Sequence, residues 1–286
     1  MTDSLPGNLT ANRYGKSRVR LTKVVRNGDR HDVLEMSVNI TLEGDFAASY
    51  TDGDNRLVVA TDSMKNTVYV LARETEFDCV DEFAEVLAKH FVDTYTQVSA
   101  AEIAIQQTMF DRVPKETQGH DHAFVGGRQD HRTCRVRVEQ GGETNRFGGL
   151  TGLVVLKSAG SAFVDFVTDR FRTLPDTTER IFATTVEAEW RVTDPKADAT
   201  QTYENAKAAM VACFAEHHSL AVQQTLLDMG RAALAAAPAI DRIDLAMPNQ
   251  HRIPFNLEPF GLDNPAMIFV PTDEPAGQIE GTVQRP

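Results

Sequence analysis

The sequence predicts an α+β protein made of two antiparallel sheets, each backed by a pair of helices. Three observations point there. Stretches that alternate apolar and polar residues, the period of a half-buried strand, recur in both halves of the chain. Each half also carries apolar residues at three- and four-residue spacing, the period of an amphipathic helix. The order of elements in the first half returns in the second, although the residues themselves do not repeat.

Taken in order, "SRVRLTKVV" alternates Val19, Leu21 and Lys23 with Arg18, Arg20 and Thr22, as a strand does. "RNGDRH" places Asn27-Gly28 where a hairpin turn is needed, and "DVLEMSVNITLEG" reads as the returning strand. "VVATDSMKNTVYV" opens like a strand at Val58 and Val59. It then turns polar at Thr61, Asp62 and Ser63, all good helix N-cap residues. A helix follows over 78–95, with Cys79, Phe83, Leu87, His90 and Phe91 on one side. "QVSAAEIAIQQTMF" and "RTCRVRVEQ" alternate again, and "MFDRVPKETQGHDHAF" between them reads as a loop. The Gly-rich "EQGGETNRFGG" marks the boundary between units expected at 14–142 and 148–286. In the second half, "LTGLVVLKSA" and "TTVEAEWRV" are strands, the latter with Val186, Ala188 and Trp190 on one face. Helices follow over 200–218, with Tyr203, Lys207 or Ala206, Met210, Val211 and Phe214 on one side, and over 220–237, before Pro238. "AIDRIDLAMPN" and "AGQIEGTVQ" close the sheet.

Composition narrows the function classes. Apolar residues are 42% of the chain, enough for a packed core, and no apolar run is long enough to span a membrane or act as a secretory signal. A formal charge of -12 argues against a general nucleic-acid or anionic-membrane binder, because both need a basic face. A small anion remains possible if a local arginine or lysine is concentrated at its site. Cys79, Cys134 and Cys213 are widely spaced and form no C-x-x-C, so neither a disulfide framework nor a zinc knuckle is expected. His120-x-His122 lacks a third ligand at metal spacing, and no metal site is expected there. His217-His218 reads as a capping or surface pair. The sequence has neither a G-x-S-x-G elbow nor a phosphate loop.

Three pieces suggest chemistry. "RYGK" puts Lys16 just before the first strand, "ATDSMKNT" supplies Thr61 and Asp62, and "MPNQHRI" sets Asn249 and His251 at alternate positions of an extended segment, pointing the same way. Taken singly they have ordinary readings: a solvated lysine, a helix start, a turn asparagine after Pro248 and a strand histidine.

Together with "VVATDSMKNTVY", "GLVVLKSAGSAF", "TLPDTTERIFATTVEAEW", "AEHHSLAVQQTL" and "MPNQH", these residues resemble the urate oxidase (uricase) family, block by block and in order, from Tyr14 to Gln284. The resemblance implies two tandem tunnelling-fold (T-fold) units, each an antiparallel sheet with paired helices, assembled as a homotetramer around a tunnel with sites between subunits. It implies oxidation of urate by dioxygen to 5-hydroxyisourate and hydrogen peroxide, in purine degradation, with no metal and no organic cofactor. Phe163 would stack on the purine. Arg180 would pair with a urate oxygen and ring nitrogen. Gln223, with the Val222 backbone beside it, would hold the opposite edge. Asn249 would hold dioxygen or water above the ring. Thr61 and Asp62 would reach in from a neighbouring subunit, and Lys16, Thr61 and His251 would relay protons.

The residue types suit the ligand. Urate is a flat anion with donors and acceptors around its rim, and an aromatic face, a planar cation and an amide are the matching groups. A lysine base must be neutral, which takes burial or a neighbouring cation. Two departures stand out: Gln250 replaces the lysine of the common "PNKH", and "VQRP" lacks the Ser-Lys-Leu peroxisomal address, so a cytoplasmic enzyme is expected. Two other readings stay open: a T-fold enzyme acting on another purine or a pterin, and a purine-binding oligomer without the relay.

Overall fold

The computed structural model describes residues 7–115 and 118–286. Its contacts divide the chain into two compact units. The first holds the residues up to Arg128 together with Arg132–Gly148, and the second holds Gln129–His131 and Gly149–Pro286. Each has its own apolar core.

The first unit opens with the hairpin of β1 (Tyr14–Asn27) and β2 (Arg30–Gly44), closed by the two-residue turn Gly28-Asp29. Met36, Val38, Ile40 and Leu42 are buried at every second position of β2, as alternation requires. A short helix α1 (Ala47–Thr51) leads to α2 (Thr61–Glu74) and α3 (Val80–Thr94). α2 buries Met64, Val68 and Ala72, one side at four-residue spacing. α3 does the same with Phe83, Leu87 and Phe91. Asp81 and Glu82 in the first turn of α3 complement its dipole. Next come β3 (Val98–Thr108), the two-residue strands β4 (Asp111–Arg112) and β5 (Phe124–Val125), and β6 (His131–Glu139). The strand order is β1-β2-β3-β6, and the helices bury their apolar sides in the same cluster as Ile40, Ile103 and Ile105.

Several expectations need correction here. Val58 and Val59 belong to no strand, and the N-cap of α2 is Ala60, with no side-chain cap bond. Thr61 is instead the first helical residue, and Thr61, Asp62 and Ser63 are all exposed. The expected loop over 109–124 contains β4 and the start of β5, and Glu116 and Thr117 within it lie outside the described residues. The Gly-rich boundary stretch is mostly strand, because β7 (Thr144–Lys157) starts right after the Gln140–Glu143 turn.

The second unit holds most of β7, then β8 (Phe182–Val192), α4 (Ala199–Glu216), α5 (Val222–Ala236), β9 (Ile240–Ala246), β10 (Asn249–Pro254), β11 (Phe269–Gly277) and β12 (Glu280–Gln284). β8 neighbours β7. It pairs antiparallel with β9 over its second half and with the start of β10 at Ala183 and Thr184. β12 adds to β9, and β11 adds to β10. Val186, Ala188 and Trp190 are buried as one face. Tyr203, Ala206, Met210 and Phe214 form the buried side of α4, whereas Val211 is exposed. β11 escaped the sequence reading because Pro271, Pro275 and the charged pair Asp273-Glu274 break its alternation. Among the described residues, no helix is long and apolar enough to cross a membrane.

Candidate active site

A single cavity of about 680 Å³ in the second unit is lined by Phe163, Arg180, Val222, Gln223, Asn249 and His251, six of the nine expected site residues. They come from the loop after β7, the approach to β8, the first turn of α5 and the start of β10. Backbone pairing brings these segments together. Phe163 and Thr177 exchange two hydrogen bonds, at 2.7 and 2.9 Å. Ala162 N–H donates to the Ser219 carbonyl at 2.7 Å, which joins the Phe163 loop to the approach to α5.

Arg180 and Arg252 both line the cavity, and Arg180 is the desolvated one. Its guanidinium lies 5.3 Å from the Phe163 ring centroid, and its Nε donates to Ser161 Oγ at 3.3 Å. Its Nη2 is buried without a hydrogen-bond partner, and it forms no ion pair among the described residues. Burial pulls its pKa below the usual guanidinium range. A desolvated cation with a free donor is a seat for an anion. The Phe163 ring stacks on Phe166, with centroids 4.5 Å apart and 13° between planes. Arg172 lies over Phe166 at 4.0 Å, anchored to Asp176 and Thr168 at 2.8 Å each.

At the opposite wall, Val222 and Gln223 are the first two residues of α5, whose N-cap Ala221 offers no side-chain cap. The first-turn N–H groups of a helix lack intrahelical partners, and its dipole is positive there. On β10, Asn249 Nδ2 lies 3.4 Å from His251 Nδ1, so the two side chains meet as alternation requires. Gln250, which also lines the cavity, donates to Thr185 Oγ1 at 2.8 Å.

Lys16, Thr61 and Asp62 belong to the first unit and do not line this cavity. Lys16 sits on β1 beside Gly15, where a Cβ would stand 1.7 Å from the Ile40 carbonyl oxygen, so only glycine lets β1 approach β2 so closely. A bulge follows between Lys16 and Val19, with Arg18 at φ 55° and its N–H satisfied by Asn39 Oδ1 at 2.8 Å. The Tyr14 hydroxyl accepts from Val59 N–H at 2.7 Å and donates to the Val59 carbonyl at 3.1 Å, tying β1 to the segment that starts α2. Lys65 at 2.6 Å and Asn66 at 3.0 Å hold the Asp62 carboxylate. Its pKa lies below the usual value, mainly through Lys65, with a smaller contribution from the charge of Lys16.

Among the described residues, no group of three or more His, Cys, Asp or Glu is placed to hold a metal. His120 and His122 pack edge to face, with centroids 4.7 Å apart.

The family model described as uricase matches residues 12–137 and 147–280. The chain belongs to the uricase family. It is 44% identical to a uricase of Arthrobacter globiformis over 277 residues, covering 97% of this chain and 90% of the relative. It is 34% identical to a uricase of Dictyostelium discoideum, with 97% of each chain covered. The crystal structure of the Arthrobacter globiformis uricase superposes with a TM-score of 0.93 at 43% identity, covering 98% of this chain and 96% of that one. The fold of this uricase-family chain is therefore the α+β T-fold.

Sequence reasoning missed what supports this cavity: Ser161, Ser219, Thr225 and the Phe166–Arg172 stack. Ser161 and Ser219 are fully buried, but short polar residues in Gly- and Ser-containing loops give no periodic signal. Phe166 could have been suspected as an aromatic three residues after Phe163.

Proposed function

We propose that this uricase-family chain oxidises urate with dioxygen and water to 5-hydroxyisourate and hydrogen peroxide, in purine degradation and without a cofactor. The observation that carries the reading is the convergence of Phe163, Arg180, Val222, Gln223, Asn249 and His251 on one cavity in which the Arg180 guanidinium has no counter-ion among the described residues. Phe163 stacks on the purine, its ring backed by Phe166. Arg180 pairs with one edge of the anion. The Gln223 amide and the Val222 N–H take the other edge, at the positive end of α5. Asn249 and His251 address the dioxygen or water face.

Lys16 is the ultimate base and acts through the Thr61 hydroxyl, and His251 moves protons on the water or peroxide side. In this reading the two halves meet between subunits of a homotetramer. Lys16, Thr61 and Asp62 of one chain complete the cavity of another, and the repeated units are the T-fold domains 14–142 and 148–286. The three cysteines form no disulfide, which suits a reducing compartment, and we place the enzyme in the cytoplasm.

The test follows urate absorbance and oxygen uptake together, with and without a chelator. Equimolar loss of both, unaffected by the chelator, is expected. Persistence of urate would refute the activity, and inhibition by the chelator would refute the cofactor-free mechanism.

A further inference from the structure

The cavity that holds Arg180 is lined by one carboxylate, that of Glu179, its neighbour in the chain. An Arg180–Glu179 pair inside the cavity would cancel the charge that an anionic ligand needs. Ser161 engages both. Its Oγ accepts from Arg180 Nε at 3.3 Å, and its N–H donates to Glu179 Oε1 at 3.4 Å. Its carbonyl also accepts from the Arg180 N–H at 2.8 Å. The guanidinium is planar, so an acceptor at Nε limits how the whole fork can turn. Nη2 is left buried with no protein partner.

Ser161 is itself fixed. It is fully buried and bridged to Ser219, whose hydroxyl accepts from Thr225 Oγ1 at 2.7 Å and donates to the Ala221 carbonyl at 3.2 Å. Its grip on Arg180 is thereby registered to the start of α5, where Val222 and Gln223 lie.

We propose that Ser161 is a positioning residue that holds Arg180 and Glu179 apart, leaving the guanidinium open to an anionic heterocycle. This rests on the urate reading above. Ser161→Ala removes the hydroxyl but keeps both backbone contacts, so it frees Arg180 to turn toward Glu179.

The experiment compares wild type, Ser161→Ala, Glu179→Gln and the double variant. It measures KM, kcat and anaerobic urate affinity, with Tm as a check on folding. Ser161→Ala is expected to raise KM and Kd about tenfold, the scale of a lost hydrogen bond to a charged group, with kcat within about threefold. Glu179→Gln alone should stay within about threefold of wild type, and it should restore the affinity of Ser161→Ala to a similar margin. A merely structural defect would not be rescued by neutralising Glu179. Unchanged affinity in Ser161→Ala, or a loss that persists in the double variant, would overturn the proposal. Wild-type urate consumption tests the activity and the variant ratios test Ser161, so the two can fail separately.

Discussion

Arg180 enters its cavity as a cation without a counter-ion in a chain of formal charge -12, and this isolation gives it its value. Lysine would keep the charge but lose the fork that meets two ligand atoms at once. Arg180→Lys should therefore raise KM for urate about tenfold or more, because hydrogen bonds to charged groups contribute about 1.5–3 kcal/mol each. Initial rates over a range of urate concentrations check this, and an unaltered KM would remove Arg180 from substrate binding. Lys16 makes the contrasting case. If it is the base, Lys16→Met should lower kcat by about 10²–10⁴ and change its pH profile, with smaller effects on KM. A variant with normal turnover and a normal profile would end that assignment. At this scale the sequence was partly legible. The residue types could be named, because an aromatic, a planar cation and an amide suit a flat anion. Their support could not, because Ser161 and Thr225 act through contacts 19 and 6 residues away in sequence.

At the scale of elements, periodicity served well where one face is buried and poorly where pairing alone defines the strand. The buried sides of α3 and β8 could be read directly from Phe83, Leu87 and Phe91 and from Val186, Ala188 and Trp190. β11 could not, since nearly all of its residues are exposed and only its ladder to β10 makes it a strand. α2 began one residue away from the cap its polar residues suggested, because Ala60 already has the extended backbone of a cap. Packing of α5 gives a stability prediction. A Cβ on Gly230 would stand 2.6 Å from Val283 Cγ2 and 3.3 Å from Leu245 Cδ1, so the helix rests directly on β12 and β9. Gly230→Ala should destabilise by about 1–3 kcal/mol despite its better helix propensity, seen as a lower Tm. Equal or higher stability would mean that the strands yield easily. A second prediction concerns acid. Arg146 grips Glu85 of α3 with two bonds, at 2.7 and 2.8 Å, and this lowers the carboxyl pKa below its usual value. The bond's contribution is thus full above the unfolded pKa and is lost as pH falls through the lower folded value. Glu85→Gln should melt below wild type near neutrality, with the gap closing in acid. A gap that stays constant with pH would exclude this linkage.

At the scale of the whole molecule, the expected site residues fall into two clusters, one in each unit. The first unit gathers Lys16, Thr61 and Asp62 through the Tyr14–Val59 bracket and the β1 bulge, and the second gathers the six cavity residues. Neither cluster is complete for the proposed chemistry, since one lacks an aromatic platform and the other a lysine base. Among the described strands β1 of the first unit pairs with β2 alone and β11 of the second with β10 alone, and unpaired edges of this kind invite pairing with another chain. Phe260, Leu262, Met267 and Ile268, between β10 and β11, are exposed apolar residues that an interface would cover. If subunits exchange the two halves, Thr61→Ala and Arg180→Ala chains should each be poor alone yet recover activity when mixed. In a randomly mixed oligomer, some sites would combine an intact Thr61 from one chain with an intact Arg180 from the other. Co-expression with two distinguishable tags, isolation of the doubly tagged species and a urate assay provide the measurement. The mixed species should reach a sizeable fraction of wild-type activity, with the same urate affinity at the restored sites. Doubly tagged oligomers no more active than either parent would show that each site is built from one chain, and would remove the interface from the mechanism.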